Sequence, residues 1–461
     1  MKKNILIGLI CCVAFAFLIG GVIPTGNRVV SASTPGGIFL FNPYRGVDWD
    51  NVGRYRAQFH AHTTTSDGRS APADTIATYQ SLGFHFLAIA DHDYVTYPWA
   101  DYGHVPTPES WGPFEGNLIQ AIQANEHSGH DIWNDFFRAN PTERRRTNTI
   151  HHIVQMFSDY VDAGWHENTR DLMDAATAHN NRSGRFFLAH PERYVGRNNL
   201  ANLDNPNHQF NLAWYVDMLE RFPTLLGVEI YNQNDRYSND RRIWDRILSE
   251  TMPQRPAWGF AASDNHGSHY GWNYTSLLLP EPTVDNVRCA IERGAFFSHS
   301  FRGLNPSTLD LQAMRIGGRY DFMPEIDRIN VDQTTGYITI DARQYTEIIW
   351  ITNNGFEAGR GESVNFRTNP MVSRFLRAIV INELDDGHTV ATYTQPFGVG
   401  EFDEDSWFFY FAGVDFGAQP EIEERPESGC QSGCGSSVVA GGLIAALAGG
   451  AAALFVAWKK R

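Results

Sequence analysis

The sequence predicts an α/β protein: a barrel of strands and helices over residues 45–300, followed by a small all-β, sandwich-like domain over 301–415. Three observations predict it. Between Tyr55 and Ser300, short apolar runs of strand length alternate with runs of helical spacing, the pattern of βα units. Polar, metal-capable residues follow these apolar runs, and in a barrel of parallel strands such ends converge on one face. After Gly294 helical spacing stops, and β-type runs separated by Gly, Asn and Asp turns take over.

The elements follow in order. Met1-Lys2-Lys3-Asn4 is a basic start, Ile5 to Val22 is almost wholly apolar, and Val30-Ser31-Ala32 offers small residues for cleavage. This is the layout of a secretory signal over 1–32, with an uncleaved anchor as the alternative. Arg56-Ala57-Gln58-Phe59 is a strand leading into His60, and Ala73 to Leu82 has helical spacing ended by Gly83. Phe86 to Ala90 is a compact strand running into Asp91-His92-Asp93. Phe186 to Ala189 runs into His190-Pro191, Leu226 to Ile230 is a further strand, and Trp258 to Ala262 runs into Ser263-Asp264. Cys289 lies on a helical pattern with Val284, Val287, Ala290 and Ile291, which reads as a buried small hydrophobe. Met314 to Gly318, Ile338 to Asp341, Ile348 to Ile351 and Phe375 to Ile381 are the β-type runs of the second domain.

A flexible stalk is expected over 416–437, rich in Glu, Pro, Ser and Gly and carrying Cys430 and Cys434. Val438 to Trp458 is an uncharged stretch long enough to span a bilayer as a helix. Lys459-Lys460-Arg461 follows it, which keeps that end cytoplasmic and the body outside. The ending resembles the C-terminal sorting tails of some bacterial surface proteins; a plain membrane anchor is the alternative.

Composition narrows the chemistry. The chain has 461 residues and a formal net charge of −15, and its lysines are Lys2, Lys3, Lys459 and Lys460. With no interior lysine there is no Schiff base, no pyridoxal phosphate anchor and no Walker-type P-loop. Leaving out those lysines, Arg28 and Arg461, the body carries about −21, with 31 basic against 52 acidic residues. Such a body argues against nucleic acid as a partner.

Six short motifs carry the chemistry: His60-Ala61-His62, Ser66-Asp67-Gly68, Asp91-His92-Asp93, Asn125-Glu126 with His152, Ala189-His190-Pro191, and Ser263-Asp264-Asn265-His266. In an extended segment, His-x-His projects both imidazoles to one side. The candidate ligands His60, His62, Asp67, His92, Glu126, His152, His190, Asp264 and His266 form an imidazole–carboxylate set without thiolate, which suits Zn, Mn or Fe. Nine candidates are too many for one ion and about right for two or three. Glu109 and Glu115 compete with Glu126, and His151 competes with His152.

In this order, the motifs resemble the polymerase and histidinol phosphatase (PHP) superfamily over roughly residues 55–300. The resemblance implies a distorted (β/α)7 barrel with a trinuclear site of divalent transition metals. It implies that His60, His62 and Asp264 hold one ion, that Asp67, His92 and His266 hold a second, and that His152 and His190 hold a third, with Glu126 bridging the third to the first. The departure is Ala124-Asn125-Glu126, where the family usually has Gly-x-Glu. Glu229, in Gly227-Val228-Glu229-Ile230-Tyr231, matches a recurrent motif as a supporting residue. Ala290 to Ser298, followed by β-type sequence, is similar to the branch named for carbaryl hydrolase, which also appends a β-domain.

These readings converge on an extracytoplasmic, metal-dependent phosphoesterase acting on a small, anionic ester, anchored to the membrane through its C-terminal helix. Clustered divalent ions lower the pKa of a shared water and neutralise charge on a phosphate. Asp264, His266 and Arg193 are the expected catalytic residues, with Arg193, His269 and Tyr231 as candidate anion contacts. A carboxylic or carbamate ester hydrolase on the same metals is one alternative, and a surface binding module with an inactive barrel is another.

Overall fold

The computed structural model describes residues 38–102, 119–128, 150–161, 166–179, 184–301, 321–385 and 387–401. The expected signal, the stalk, the helix over 438–458 with its basic end, the run 314–318, Glu109 and Glu115 lie outside them. Among the described residues, no helix is long and apolar enough to cross a membrane.

After a short strand β1 (Phe39–Phe41), β2 (Gly53–Gln58) runs parallel to β3 (Phe86–Ala88), and β3 parallel to β4 (Gln120–Ile122). Just past Gln123 the chain continues as β5 (Ala124–His127), which pairs instead with β6 (Ile153–Met156). A five-stranded sheet then runs from β5 through β6, β7 (Arg185–Leu188) and β8 (Leu225–Tyr231) to β9 (Trp258–Ala261). Strand β6 is antiparallel to both neighbours, whereas β7, β8 and β9 run parallel. Every residue of β7, β8 and β9 is buried, which is why these strands read as short, nearly continuous apolar runs.

The expected seven-stranded barrel is not closed by hydrogen-bonded ladders, and two causes are visible. First, β2 has no free edge for β9, because β10 (Asn273–Leu279) occupies it antiparallel. The two strands meet instead through one parallel bridge, Ala61 with Asn265, and through Gln58. The Gln58 amide donates to Ser263 Oγ at 2.9 Å, and its oxygen accepts from Ser263 N–H at 3.1 Å. Second, the break at Gln123 splits one strand between two sheets, and a single bridge from His92 to Glu126 adds to the contact there.

Helices are set by local signals. Pro72 opens the helix Pro72–Ser81, where its missing N–H costs nothing. Asn211 and Thr283 cap the helices Leu212–Arg221 and Val284–Arg293 by accepting from Trp214 and Asn286 N–H groups. Gly294 ends the latter in a left-handed conformation, φ +78°. Cys289 is buried on that helix, as expected.

Most strands of the β-rich part join the sheet that also holds β2, β3 and β4. Strand β11 (Phe296–Ser300) pairs with β10 on one edge and with β18 (Thr389–Tyr393) on the other. Through β18 one eleven-stranded sheet extends to β17 (Phe375–Glu383), β14 (Glu347–Thr352), β15 (Phe356–Arg360), β19 (Phe397–Gly400) and β1. A separate three-stranded sheet contains β12 (Glu325–Asp332), β13 (Tyr337–Arg343) and β16 (Ser363–Asn365). The sheet thus runs straight across position 300, where the sequence suggests a domain boundary.

Polar ties reinforce the joint. Arg377 on β17 makes a buried two-pronged ion pair with Asp245 of the helix Asp240–Thr251, at 2.7 and 2.8 Å, and its guanidinium lies 4.9 Å from the Trp244 ring centroid. The Gln395 side chain accepts from Gly259 N–H at 2.8 Å and donates to Gly259 O at 3.0 Å. Removing one partner of a buried ion pair strands the other charge, so Arg377→Ala is expected to cost about 3–5 kcal/mol of folding stability in urea titration. A loss below about 1 kcal/mol, the range of an exposed pair, would contradict this.

Candidate metal centre

All nine candidate ligands fall on one face, where the ends of β2, β3, β5, β7 and β9 meet. His152 arrives differently from the others. It precedes β6, and because β6 runs backwards its N-terminal end lies beside the C-terminal ends of its neighbours.

At the floor, His60 Nε2, His62 Nε2 and Asp264 Oδ1 form a triangle with sides of 3.1, 3.1 and 3.4 Å. Glu126 Oε2 stands 3.3 Å from both imidazole nitrogens. Donors about 2.1 Å from a shared tetrahedral or octahedral ion stand roughly 3.0–3.4 Å apart, so these four atoms have the spacing of one coordination sphere. The other Glu126 oxygen, Oε1, lies 2.9 Å from His152 Nδ1 and 3.3 Å from His190 Nε2. Toward solvent, Asp67 reaches His266 Nε2 at 3.2 Å, His92 Nε2 at 3.6 Å and His62 Nδ1 at 3.8 Å.

Four overlapping groups of donors result: His60, His62 and Asp264; His62, Asp67, His92 and His266; His60, Glu126 and His190; and His92, Glu126 and His152. The first matches the set implied by the resemblance, and the second matches with His62 added. His152 and His190 do not share a group; each joins a separate one through Glu126.

His151 turns away. Its ring stacks on Trp214 and packs against Tyr194, and its Nε2 lies 3.2 Å from Tyr215 Oη. Burial holds its pKa well below the ordinary histidine value. Tyr231 also faces elsewhere: it is buried, with its hydroxyl 2.9 Å from that of Tyr393 and its ring under Arg241. It is therefore not an anion contact. Arg193 sits on the turn after His190-Pro191 with an exposed side chain and has no ion-pair partner among the described residues. Burial of part of the side chain opposes its charge, but the neighbouring Tyr194 and Tyr237, then Glu126 and Asp264, raise its pKa on balance.

Supporting contacts explain why the motifs have these residues. Asp91 accepts from Thr63 N–H, Thr63 Oγ1, Ser66 Oγ and Thr96 Oγ1 at 2.5–2.8 Å, and so ties the loop after His62 to β3. A Cβ on Gly68 would lie 2.6 Å from the His62 carbonyl carbon, so only glycine fits beneath that ligand. Asn232 and Gln233 each donate to Asp264 Oδ2 at 3.0 Å, leaving Oδ1 for the triangle. His266 Nδ1 lies 3.0 Å from the Asp264 carbonyl, which directs Nε2 toward Asp67. His190 and Asp264 have positive φ, +32° and +43°, strain of the kind that concentrates at functional sites. Neither Asp91 nor Asn232 is legible in the sequence as a support, because carboxamides and carboxylates in loops have many uses; the strand-end position of Asp91 is the available signal.

The buried side chains fit bound cations. Among the described residues, His62 Nδ1, His152 Nε2 and His190 Nδ1 are buried without a hydrogen-bond partner. Burial disfavours charge on His62, but hydrogen bonds and charge from Asp264 and Glu126 overcome it and raise its pKa to about 10. His60 is likewise raised well above the ordinary value. Glu126 and Asp264 are driven well below theirs by the surrounding imidazoles, against the effect of burial.

No family model and no curated protein matches this chain. Among solved structures, a two-domain protein from Bacteroides vulgatus, described as containing a predicted PHP-like metal-dependent phosphoesterase, is similar at 12% identity and a TM-score of 0.36. That match covers 77% of this chain and 89% of the other. An amidohydrolase from Chromobacterium violaceum is similar at 16% identity and a TM-score of 0.27, over 47% of this chain and 89% of the other. The functional reading therefore rests on the site itself.

A titration follows from the imidazole pKa values. With its folded value raised to about 10, His62 carries a proton at pH 7.5 in the metal-free protein, and a metal must displace it. Zn2+ binding at pH 7.5 is expected to release protons, and the His62 contribution fades as pH rises through about 10. Calorimetry in two buffers of different ionisation heat measures this; identical heats would contradict it.

Proposed function

We propose that this chain is a PHP-type, metal-dependent phosphoesterase, exported and held at the membrane by its C-terminal segment. One observation carries the catalytic part: the carboxylate of Glu126 joins two separate donor groups, so one rigid side chain serves adjacent cation positions. Divalent ions bound at such adjacent positions activate water at neutral pH and neutralise the charge of a phosphate.

The chain's own residues supply the rest. His60, His62, Glu126 and Asp264 form a buried floor that excludes bulk water, with side-chain exposures of 0, 0, 1 and 6%. Asp67, His92 and His266 line the more open side, at 55, 24 and 28%, and mark where a substrate enters. Arg193, on the turn after His190-Pro191 and without an ion-pair partner among the described residues, would hold a phosphate through a two-pronged contact. With no lysine in the body, arginine is the residue left for that task.

Export and anchoring are supported by the basic start, the apolar run 5–22 and the apolar stretch 438–458 before Lys459-Lys460-Arg461. Deleting 438–461 is expected to move the protein from the membrane fraction to the soluble one; continued membrane association would contradict the anchor.

The purified full chain, loaded with Zn2+ or Mn2+, is expected to hydrolyse p-nitrophenyl phosphates. His62→Ala and Asp264→Ala are expected to lower kcat/KM at least ~100-fold, comparable with losing a strong transition-state electrostatic contact. Arg193→Ala is expected to act mainly on KM. Turnover of carbamates with none of phosphates, or unchanged activity in both floor variants, would overturn the proposal.

A further inference from the structure

Glu229 lies within β8, fully buried, and is absent from every donor group. Its contacts nevertheless converge on the ligands. One carboxylate oxygen, Oε1, is 3.1 Å from His60 Nδ1, while His60 Nε2 faces the centre. The other, Oε2, accepts from the backbone N–H of His190 at 2.8 Å and from the Asn232 amide at 2.9 Å. That amide also donates to Asp264 Oδ2 at 3.0 Å. One buried carboxylate thus reaches His60 directly, the strained backbone of His190 directly, and Asp264 through Asn232.

A carboxylate on the far nitrogen of a ligating histidine fixes the tautomer and ring orientation, and makes the near nitrogen a better ligand. Here the same group also holds a neighbouring ligand's backbone and a third ligand's carboxylate. We propose that Glu229 is a positioning residue that aligns His60, His190 and Asp264, setting the affinity of the inner donor groups that meet at His60, one with His62 and Asp264 and one with Glu126 and His190, without itself being a ligand. This rests on the metal reading above. Among the described residues, the outer group of His62, Asp67, His92 and His266 makes no hydrogen bond or ion pair with Glu229 and should be insensitive to it.

Glu229→Gln tests this while keeping size and shape. The amide carries no charge and has one acceptor oxygen where the carboxylate has two, so it cannot accept both at His60 Nδ1 and from the His190 N–H and Asn232 pair. The full chain is titrated with Co2+, following the visible d–d bands, and Zn2+ affinity is measured by competition with a chromophoric chelator. The expected result is that inner binding, in which His60 takes part, weakens about 10–100-fold with altered bands, the outer phase holds, and the thermal melt stays cooperative. Unchanged phases, or loss of all phases together, would overturn the proposal. If Glu229→Gln does not fold, Asn232→Ala cuts the link to Asp264 and is expected to weaken the same inner binding; unchanged binding there would also overturn it. A wild-type chain that takes up no Co2+ would overturn both this inference and the metal reading, whereas uptake unaffected by Glu229→Gln would overturn this inference alone.

Discussion

Everything at the centre depends on one buried carboxylate. The two oxygens of Glu126 lie within 3.3 Å of nitrogens from His60, His62, His92, His152 and His190, in surroundings that leave the group 1% exposed. An isolated charge buried this way is costly, and the cost is offset only by opposite charge close by. The molecule therefore has two stable choices at neutral pH, protons on the imidazoles or metal cations between them. The high pKa values of His60 and His62 express the first choice, and the donor spacings of 3.1–3.4 Å express the second.

This constraint shapes the fold around it. Ligands must come from several strands and converge on one point, and β6 achieves this by running backwards, so that His152 reaches the centre from before its strand. Two ligands, His190 and Asp264, hold left-handed backbone angles. Such strain persists only where the surroundings over-determine it, and here Asn232, Gln233 and Glu229 do so through four hydrogen bonds. The β-rich part contributes from outside: Tyr393 holds the Tyr231 hydroxyl at the end of β8, one residue before Asn232.

Much of the site was legible in the sequence for a physical reason. Short motifs such as His60-Ala61-His62 and Ser66-Asp67-Gly68 place donors by local geometry, and Gly68 is required by the backbone it covers. Glu126 was harder, because Ala124-Asn125-Glu126 lacks the expected glycine; only its position in β5 shows that it faces the centre. His152 over His151 follows from packing, since His151 fills an aromatic cage that no local pattern announces. The strands were found by their apolar runs, but barrel closure was not readable. It depends on which strand takes the second edge of β2, and that strand, β10, lies more than 200 residues away. The continuity of the sheet across position 300 is a long-range pairing of the same kind.

The central claim is that Glu126 bridges adjacent cation positions. Elemental analysis of the purified full chain beside its Glu126→Gln variant tests it most directly. The account predicts more than one transition-metal ion per wild-type chain, and a lower number in a variant that still folds. No bound transition metal in the wild type, or the same number in both proteins, would contradict it.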